Sequence, residues 1–322
     1  MKAFTVKQND AGARLDRFVA KVVPLLPPSL AQKYIRIKRI KVNGRGAARD
    51  ARLALGDLVE MYVNDEFFDA PREENAFLRV SDPALSIVFE DENILLLDKP
   101  SGVLCHFDGG FDYATLIARV QSYLYTKHEW NPREENSFAP ALCNRIDRNT
   151  QGIVIAAKNA EALRIMNEKI KTREIDKYYL TAVIGKPPKA SGRIENYLFK
   201  DAKKNQVFVS DRQTPGAQLA ITEYRTLEHR GGLTFLECRL LTGRTHQIRA
   251  HLAHIGCAIL GDGKYGSERE NRKYGEKSQL LCSYRLRFSF ESDAGALEYL
   301  NNREFSLNSV DFVQKYFTYT MS

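Results

Sequence analysis

The stretch LCNRIDRNTQGIVIAAKN, residues 142–159, places one carboxylate, Asp147, between Arg145 and Arg148. A turn-forming Asn-Thr-Gln-Gly follows the acid, and the apolar run 153–157 then indicates a buried strand. Flanking arginines favour the charged form of a carboxylate, which can act as a nucleophile or stabilise a developing cation. An Asp after a strand is more often a turn former or a surface ion-pair partner, so the role of Asp147 depends on which residues the rest of the chain places beside it.

A second stretch, LLTGRTHQIRAHLAHIGCAILGDGKYG, spans residues 240–266. Ile248, Leu252 and Ile255 recur at helical spacing and predict an amphipathic helix over about 245–255 that buries these three side chains.

Two arginines in this stretch have different expected partners. Arg249 lies beside the buried face of the predicted helix, where a guanidinium needs an anionic partner, and we expect that partner to be Asp147. Arg244 lies at the predicted helix start, where free backbone N–H groups suit a phosphate.

Histidines crowd the same helix. His251 and His254 are one turn apart, but their spacing is not that of H-E-x-x-H, and no carboxylate or cysteine completes a metal set. We therefore expect packed or hydrogen-bonded histidines, no metal site and no organic cofactor. The glycine-rich LGDGKYG lacks the spacing of a nucleotide-binding loop.

Composition limits the class of protein. The 322 residues carry a formal net charge of +8, which favours a polyanionic partner. A basic surface that binds no such partner is also common. The five cysteines are scattered and form no C-x-x-C pair, which favours reduced thiols and a cytoplasmic location. The N-terminus lacks a secretory signal, and no apolar run approaches the ~20 residues that cross a bilayer, so we expect no membrane partner.

Basic residues concentrate near the N-terminus. Helical spacing predicts a helix over Arg14–Val23, and Ser29 is a candidate N-cap for the next helix. Between residues 33 and 52, eight residues are basic and one is acidic. This pattern is typical of a solvated face or of a surface that binds phosphates. The basic residues expected to bind RNA are Lys33, Arg36, Lys38 and Arg39.

The order of elements predicts an α+β fold with a mixed, largely antiparallel sheet. We expect domains at 1–69 and 85–322, with a polar, proline-containing linker at 70–84. Strands are predicted at 153–157, 178–184, 207–209, 218–224, 234–241 and 284–290, and helices at 112–125, 161–171, 245–255 and 310–316.

Two sets of motifs resemble known families. R-L-D-x-F from Arg14, I-R-x-x-R-I-x-V-N-G from Ile35 and L-x-x-G-D-x-V from Leu53 resemble the S4-type RNA-binding domain, a small α/β module. LDKPSGV (97–103), NRIDRNTQG (144–152), KYYLTAV (177–183) and GRTHQIRAHLAHIGCAILGDGKYG (243–266) together resemble the RluA-type pseudouridine synthases. Four motifs in this order are specific to that family, whereas any one alone is not.

The resemblance implies roles for particular residues. Asp147 falls on the nucleophile, Tyr179 on the active-site tyrosine and Arg249 on the arginine that pairs with the acid. It implies that an RNA-facing group surrounds them, namely Asn144, Arg145, Arg244, His246 and Gln247. Two positions depart from the family pattern, because Asn144 replaces the usual His and Gln151 the usual Ser.

The implied reaction fits a single acid. Pseudouridine synthases break the uracil N1–C1′ bond, turn the base and rejoin it through C5, so positive charge builds on the sugar where a carboxylate can trap it. A hydrolase needs a second carboxylate to activate water, whereas an isomerase must exclude water. The target uridine must leave the helical stack to reach the acid. Attack on C1′ and assistance to glycal formation both fit the sequence.

The resemblance leaves the target open. Large-subunit (23S-type) ribosomal RNA, alone or in pre-ribosomal particles, is the expected partner, with transfer RNA as an alternative and no DNA. A rival class is a non-catalytic RNA-binding or ribosome-assembly factor on the same fold, and a metal hydrolase is a third. Retention of Asp147, Tyr179 and Arg249 favours the enzyme, because a binder of anionic RNA has no need of a buried acid.

Overall fold

A computed structural model describes residues 1–68, 77–78, 80, 83–109, 114–201, 204 and 206–320. The chain forms two compact units. One contains Met1–Ala84, Phe111–Ala141 and Ala157–Arg164, and the other contains Leu85–Gly110, Leu142–Ala156 and Ile165–Ser322. The first unit thus takes in two segments from the region expected to form the second domain, and most of the expected linker at 70–84 lies outside the described residues.

The N-terminal residues of the first unit build a small sheet with two helices. The strands β1 (Lys2–Thr5), β2 (Ile40–Val42) and β3 (Leu58–Met61) pair antiparallel in the order β1-β3-β2. The two helices are α1 (Leu15–Val22) and α2 (Pro28–Arg36), and α3 (Leu116–Thr126) follows later in the chain. The apolar face of α1 supplies Leu15, Phe18 and Val19 to a core that β2 and β3 complete with Ile40, Val59 and Met61.

The start of α2 differs from the sequence prediction. Ser29 is not the N-cap, because Pro27 caps the helix and Pro28 occupies its first turn. Proline suits that position, since its fixed φ matches the helix and its missing N–H would have had no intrahelical partner.

A sheet of eleven strands runs through the described residues from 87 onward, in the order β10-β9-β11-β12-β8-β13-β7-β5-β4, with β14 on β13 and β6 on β7. Its strands are β4 (Ile87–Glu90), β5 (Ile94–Lys99), β6 (Ala141–Leu142), β7 (Gln151–Ala157), β8 (Ile175–Ile184), β9 (Ser191–Asp201), β10 (Gln206–Ser210), β11 (Gln218–Arg230), β12 (Leu233–Leu240), β13 (Leu281–Phe288) and β14 (Glu304–Ser306).

Most neighbouring strands pair antiparallel, and β7 pairs parallel with β13. The remaining helices are α4 (Ala160–Lys171), α5 (Gln247–His254), α6 (Glu268–Tyr274) and α7 (Asp311–Tyr316). The expected α+β class with a largely antiparallel sheet is therefore confirmed. Among the described helices, none combines the length and apolar character needed to cross a bilayer.

Strand alternation and helix packing place the side chains that matter for function. On β8, Tyr178 and its neighbour Tyr179 point to opposite faces, and Tyr179 packs into a core cluster with Leu236 of β12. Helix α5 buries Ile248 and Leu252 in the same cluster. Tyr179 and the start of α5 therefore belong to one packed cluster. This packing fixes the positions of the polar side chains next to them.

Candidate active site

A cleft of about 950 Å³ lies within the second unit. Its walls come from the loop before β7, from β8 and from the segment that joins β12 to α5. The sequence-predicted residues that line it are Asn144, Arg145, Asp147, Tyr179, Arg244, His246, Gln247 and Arg249. The four predicted basic residues of the N-terminal segment lie in the other unit.

Asp147 and Arg249 form the expected ion pair. The Nη1 group of Arg249 donates to Oδ2 of Asp147 at 2.7 Å, although the two residues are 102 positions apart in sequence. The Asp147 side chain retains 27% of its accessible surface and that of Arg249 only 8%. The carboxylate therefore faces the cleft while the guanidinium that orients it is buried, which is a geometry suited to electrostatic preorganisation.

The other edge of Arg249 is held by Asp262, which sequence reasoning did not single out. Nε and Nη2 of Arg249 donate to the two oxygens of Asp262 at 2.7 and 3.0 Å, and Asp262 has no exposed surface. Burial alone would lower the pKa of Arg249, but the hydrogen bonds and charge of Asp262 raise it above its usual value. Burial likewise would raise the pKa of Asp262, and Arg249 lowers it instead. The buried pair stays charged, so Arg249 has a fixed orientation.

A buried lysine holds the loop that carries Asp147. Lys99 ends β5, and its Nζ donates to the carbonyls of Pro100, Val103 and Arg148 at 2.8–2.9 Å. Burial lowers the pKa of Lys99 to about 8, while the nearby Asp147 acts to raise it. The ammonium therefore ties two loops together immediately beside the acid.

The two departures from the family pattern have structural explanations. The Oδ1 of Asn144 accepts a hydrogen bond from the backbone N–H of Ile155 at 2.8 Å, so the side chain fixes the loop to β7. The amide of Gln151 donates to Oδ2 of Asp98 at 3.3 Å. Neither residue titrates, and both make hydrogen bonds that stabilise the segment around Asp147.

Tyr179 lines the cleft as a neutral phenol. It is 6% exposed, and burial raises its pKa to about 12, with the charge of Asp147 acting in the same direction and a hydrogen bond with Ser283 opposing it. Its ring is fixed by the core cluster around β8 and β12. The geometry suits a ring that contacts a flat base, and the phenol keeps its proton at neutral pH.

His246 occupies an unusual place next to the acid. It is the N-cap of α5 with a left-handed φ of 52°, and its Nε2 lies 3.9 Å from Oδ2 of Asp147. Its Nδ1 lies 2.9 Å from the hydroxyl of Tyr265. Burial lowers the pKa of His246 to about 4, so the ring is neutral at neutral pH.

The structure gives Gln247 a different position from the one expected. The side chain is 2% exposed, and its amide bonds the hydroxyls of Thr242 and Thr222, the N–H of Arg244 and the carbonyl of Ile221. All of this amide's hydrogen-bonding capacity is used within the protein. Direct RNA contact is therefore unsupported for Gln247, and the side chain instead fixes the turn before α5.

Arg244 also differs in detail from expectation, because α5 begins at Gln247 and not near Thr245. The left-handed backbone of His246 delays the helix by two residues. Arg244 therefore lies in the turn before the helix, where its Nε donates to the carbonyl of Leu219 at 3.2 Å and its side chain lines the cleft.

The histidines further along α5 point to different partners. Nδ1 of His251, which has no exposed surface, lies 2.9 Å from Oγ1 of Thr222, and Nε2 of His254 lies 3.5 Å from Asp211. Within the described residues, no group of three or more histidines, cysteines or acids has the arrangement of a metal site.

The basic residues of the N-terminal segment lie around α2. Lys33 and Arg36 line a hollow of about 440 Å³ together with Arg49. Arg39 stacks on Tyr34 with 4.5 Å between the guanidinium carbon and the ring centroid, and Lys38 is exposed with a left-handed φ of 60°. The four predicted cations therefore belong to one end of α2 and the turn that follows it.

Sequence reasoning missed three residues of the site, namely Lys99, Asp262 and Tyr265. All three fall inside the quoted motifs LDKPSGV and LGDGKYG, so the signal was present. Their partners are backbone carbonyls, an arginine on another element and a histidine in a turn, and spacing along the chain does not reveal such contacts.

Comparisons with known proteins show the family of the chain. The family described as RNA pseudouridylate synthase matches residues 93–254. The chain is 31% identical over 291 residues to an uncharacterized RNA pseudouridine synthase of Mycoplasma genitalium, covering 88% of each chain. It is 32% identical over 263 residues to the ribosomal large subunit pseudouridine synthase D of Escherichia coli, covering 81% of this chain and 75% of that one.

Among solved structures, the human RNA pseudouridylate synthase domain containing 4 is similar in fold. Its TM-score is 0.55 at 20% identity, over 75% of this chain and 95% of that chain. The chain belongs to the RluA-type family of RNA pseudouridine synthases, isomerases that convert uridine to pseudouridine in RNA.

Proposed function

We propose that this isomerase acts on specific uridines of large-subunit (23S-type) ribosomal RNA, with Asp147 as the nucleophile. The observation that carries the proposal is the 2.7 Å contact between Asp147 and the buried Arg249 at the wall of the cleft. The similarity to the Escherichia coli large-subunit synthase supports the choice of RNA over the transfer RNA alternative.

The proposed reaction needs one acid. The carboxylate of Asp147 attacks C1′ of the flipped uridine, an ester bond forms, and the N1–C1′ bond breaks so that uracil leaves as an anion. The base turns, C5 attacks C1′ and displaces the carboxylate, and the proton on C5 is lost while N1 gains one. Asp108 and Asp176 also line the cleft, and Oδ1 of Asp176 accepts two hydrogen bonds from Arg239. Asp147 is the carboxylate of the cleft whose charge acts on Tyr179, which supports it as the nucleophile.

Neighbouring groups have separate roles in this proposal. Arg249 orients the carboxylate and stabilises the anion that returns when the new bond forms. Tyr179 contacts the face of the base, because its ring is fixed and its hydroxyl keeps its proton. Arg145 is exposed at the cleft, where it takes the space left in the RNA by the flipped nucleotide.

The N-terminal segment supplies sequence-independent affinity. We propose an S4-like RNA-binding domain at 1–69 joined by the segment 70–84 to a catalytic domain at 85–322. Lys33, Arg36, Lys38 and Arg39 would contact phosphates, which is supported by their clustering around the end of α2. Binding to pre-ribosomal particles and a cytoplasmic location stay predictions.

The decisive experiment measures tritium release from large-subunit ribosomal RNA transcribed with uridine labelled at C5. Wild type should release tritium, and Asp147→Asn should release none while binding the RNA with unchanged affinity. Asp211→Asn is the matched control, because its side chain is 76% exposed and we expect full activity. Release only from transfer RNA would overturn the target, and binding without release by wild type would favour the non-catalytic RNA-binding factor.

A further inference from the structure

The backbone of His246 and its neighbouring side chains restrict the orientation of its ring. Its backbone is in the left-handed region, and its ring packs edge-on against Tyr265 with 5.7 Å between the centroids. One ring nitrogen faces the hydroxyl of Tyr265 and the other faces Asp147. The ring therefore bridges the two groups, and the position of its single proton decides what it presents to the cleft.

The hydrogen bonds of Tyr265 determine that proton. The Tyr265 oxygen accepts the backbone N–H of Val207 at 2.8 Å. The hydroxyl hydrogen then needs an acceptor, and the one within reach among the described residues is Nδ1 of His246 at 2.9 Å. If Nδ1 carried the proton, Tyr265 would face two donors and its own hydrogen would have no protein acceptor.

We infer that Tyr265 is a positioning residue that holds His246 in the tautomer with hydrogen on Nε2, so that a neutral donor points into the cleft beside Asp147. This inference rests on the proposed nucleophile. The opposite tautomer would aim a lone pair at the carboxylate and repel it. The Nε2–H group can instead donate to Asp147 as it is displaced, or to an oxygen of the nucleotide held there.

The surroundings are consistent with a neutral ring. Burial and the charges of Arg249 and Lys264 lower the pKa of His246, and the charges of Asp147 and Asp262 oppose them. The ring centroid of Tyr265 also lies 5.2 Å from the guanidinium carbon of Arg249. Tyr265 thus contacts two of the side chains that lie next to the nucleophile, without itself reaching Asp147 through a hydrogen bond.

The first test needs no substrate. In full-length protein labelled with ¹⁵N-histidine, the His246 signals are assigned by their loss in His246→Gln. Wild type should show a protonated Nε2 and an unprotonated Nδ1. Tyr265→Phe keeps the ring and removes the hydroxyl, so it should increase the population of the other tautomer, which Asp147 alone then disfavours. A protonated Nδ1 in wild type overturns the inference, as does an unchanged tautomer in Tyr265→Phe.

The second test uses the C5-tritiated large-subunit RNA. Tyr265→Phe should lower kcat about tenfold with KM within about twofold, since one oriented hydrogen bond is lost and RNA contacts remain. His246→Gln, whose amide retains a donor, should keep more activity than His246→Ala. Tyr274→Phe, whose hydroxyl bonds the carbonyl of Gly231, is the matched control and should match wild type.

The two tests separate the inference from the proposed function. A wild-type protein with the expected tautomer and no activity on this RNA would refute the proposed target and leave the tautomer assignment standing. Full kcat in Tyr265→Phe together with a changed tautomer would overturn the positioning role.

Discussion

Asp262 holds Arg249 by two hydrogen bonds of 2.7 and 3.0 Å and has no exposed surface. The guanidinium is planar, so fixing Nε and Nη2 also fixes the direction of Nη1, which is the group that meets Asp147. The same oxygen of Asp262 that binds Nη2 accepts the backbone N–H groups of Lys264 and Tyr265. One buried acid therefore organises both the arginine and the loop beside it.

Asp262→Asn should impair both stability and catalysis. The variant replaces an anion that faces a buried cation by a neutral amide, and breaking a buried pair costs roughly 3–5 kcal/mol in the free energy of unfolding. The loss should be visible in urea denaturation, and kcat for tritium release should fall at least tenfold because Arg249 loses its orientation. The exposed Asp211→Asn is the control, and equal stability of the two variants would contradict the prediction.

Much of the fold could be predicted because apolar spacing carries it. The strand predicted at 178–184 lies within β8, and the spacing of Ile248 and Leu252 predicted the buried face of α5. Strand β9 was missed because SGRIENYLFKD is largely polar, and Ile194 and Leu198 are its only buried residues. Helix α6 was missed because ERENRKY has no apolar face, so its caps and its buried Asn271 define it instead.

The site was predictable as far as charge balance and the family motifs reach. A buried arginine demands an anion, and this argument, together with the family resemblance, paired Arg249 with Asp147 across 102 positions. It could not show that Asp262 takes the larger share of the same guanidinium. Contacts to backbone carbonyls, such as those of Lys99, leave no trace in sequence spacing.

Gly152→Ala should destabilise the protein severely, because Gly152 pairs with Ser283 where β7 meets β13. A Cβ at Gly152 would lie 2.2 Å from the carbonyl oxygen of Ser283, and its φ of +119° already excludes most side chains. We expect a loss of more than about 3 kcal/mol in the free energy of unfolding.

Gly185→Ala is the matched control for this substitution. Gly185 has a φ of +79° and no atom within 4 Å of the added carbon, so only the backbone strain of about 1–2 kcal/mol should appear. Similar losses in the two variants, measured by urea denaturation, would show that the approach of Ser283 does not limit the site.

Replacing Arg36 and Arg39 together by Ala should weaken RNA binding and flatten its salt dependence. Each phosphate contact contributes about 0.9 to the slope of log affinity against log salt for duplexes and about 0.7 for single strands. The measurement is a binding titration of the transcribed RNA at several salt concentrations. Lys21→Ala, an exposed position on α1, is the control. An unchanged slope in the double variant would remove α2 from the RNA interface.

His246 and His251 predict a loss of stability in mild acid. Burial lowers the pKa of His246 and of His251 to about 4, below the value of about 6.5 in the unfolded chain. As pH falls below about 6.5 the unfolded state binds protons that the folded state does not, so the free energy of unfolding decreases down to about pH 4. Each histidine contributes up to about 1.4 kcal/mol per pH unit to the slope of the free energy of unfolding in this window. Well above about pH 6.5 it contributes nothing to the slope.

Urea denaturation between pH 6.5 and 5 measures this slope. This pH range stays above the one where acids with lowered pKa, such as Asp262, begin to lose their contribution to stability. His251→Asn should reduce the slope by about one histidine's share, since the amide does not take up a proton. His128→Asn, at an exposed position whose left-handed φ of 58° suits asparagine, should keep the wild-type slope. A slope that His251→Asn leaves unchanged would mean that this ring is protonated in the folded protein, and its contact with Thr222 would then have to be one in which Nδ1 donates.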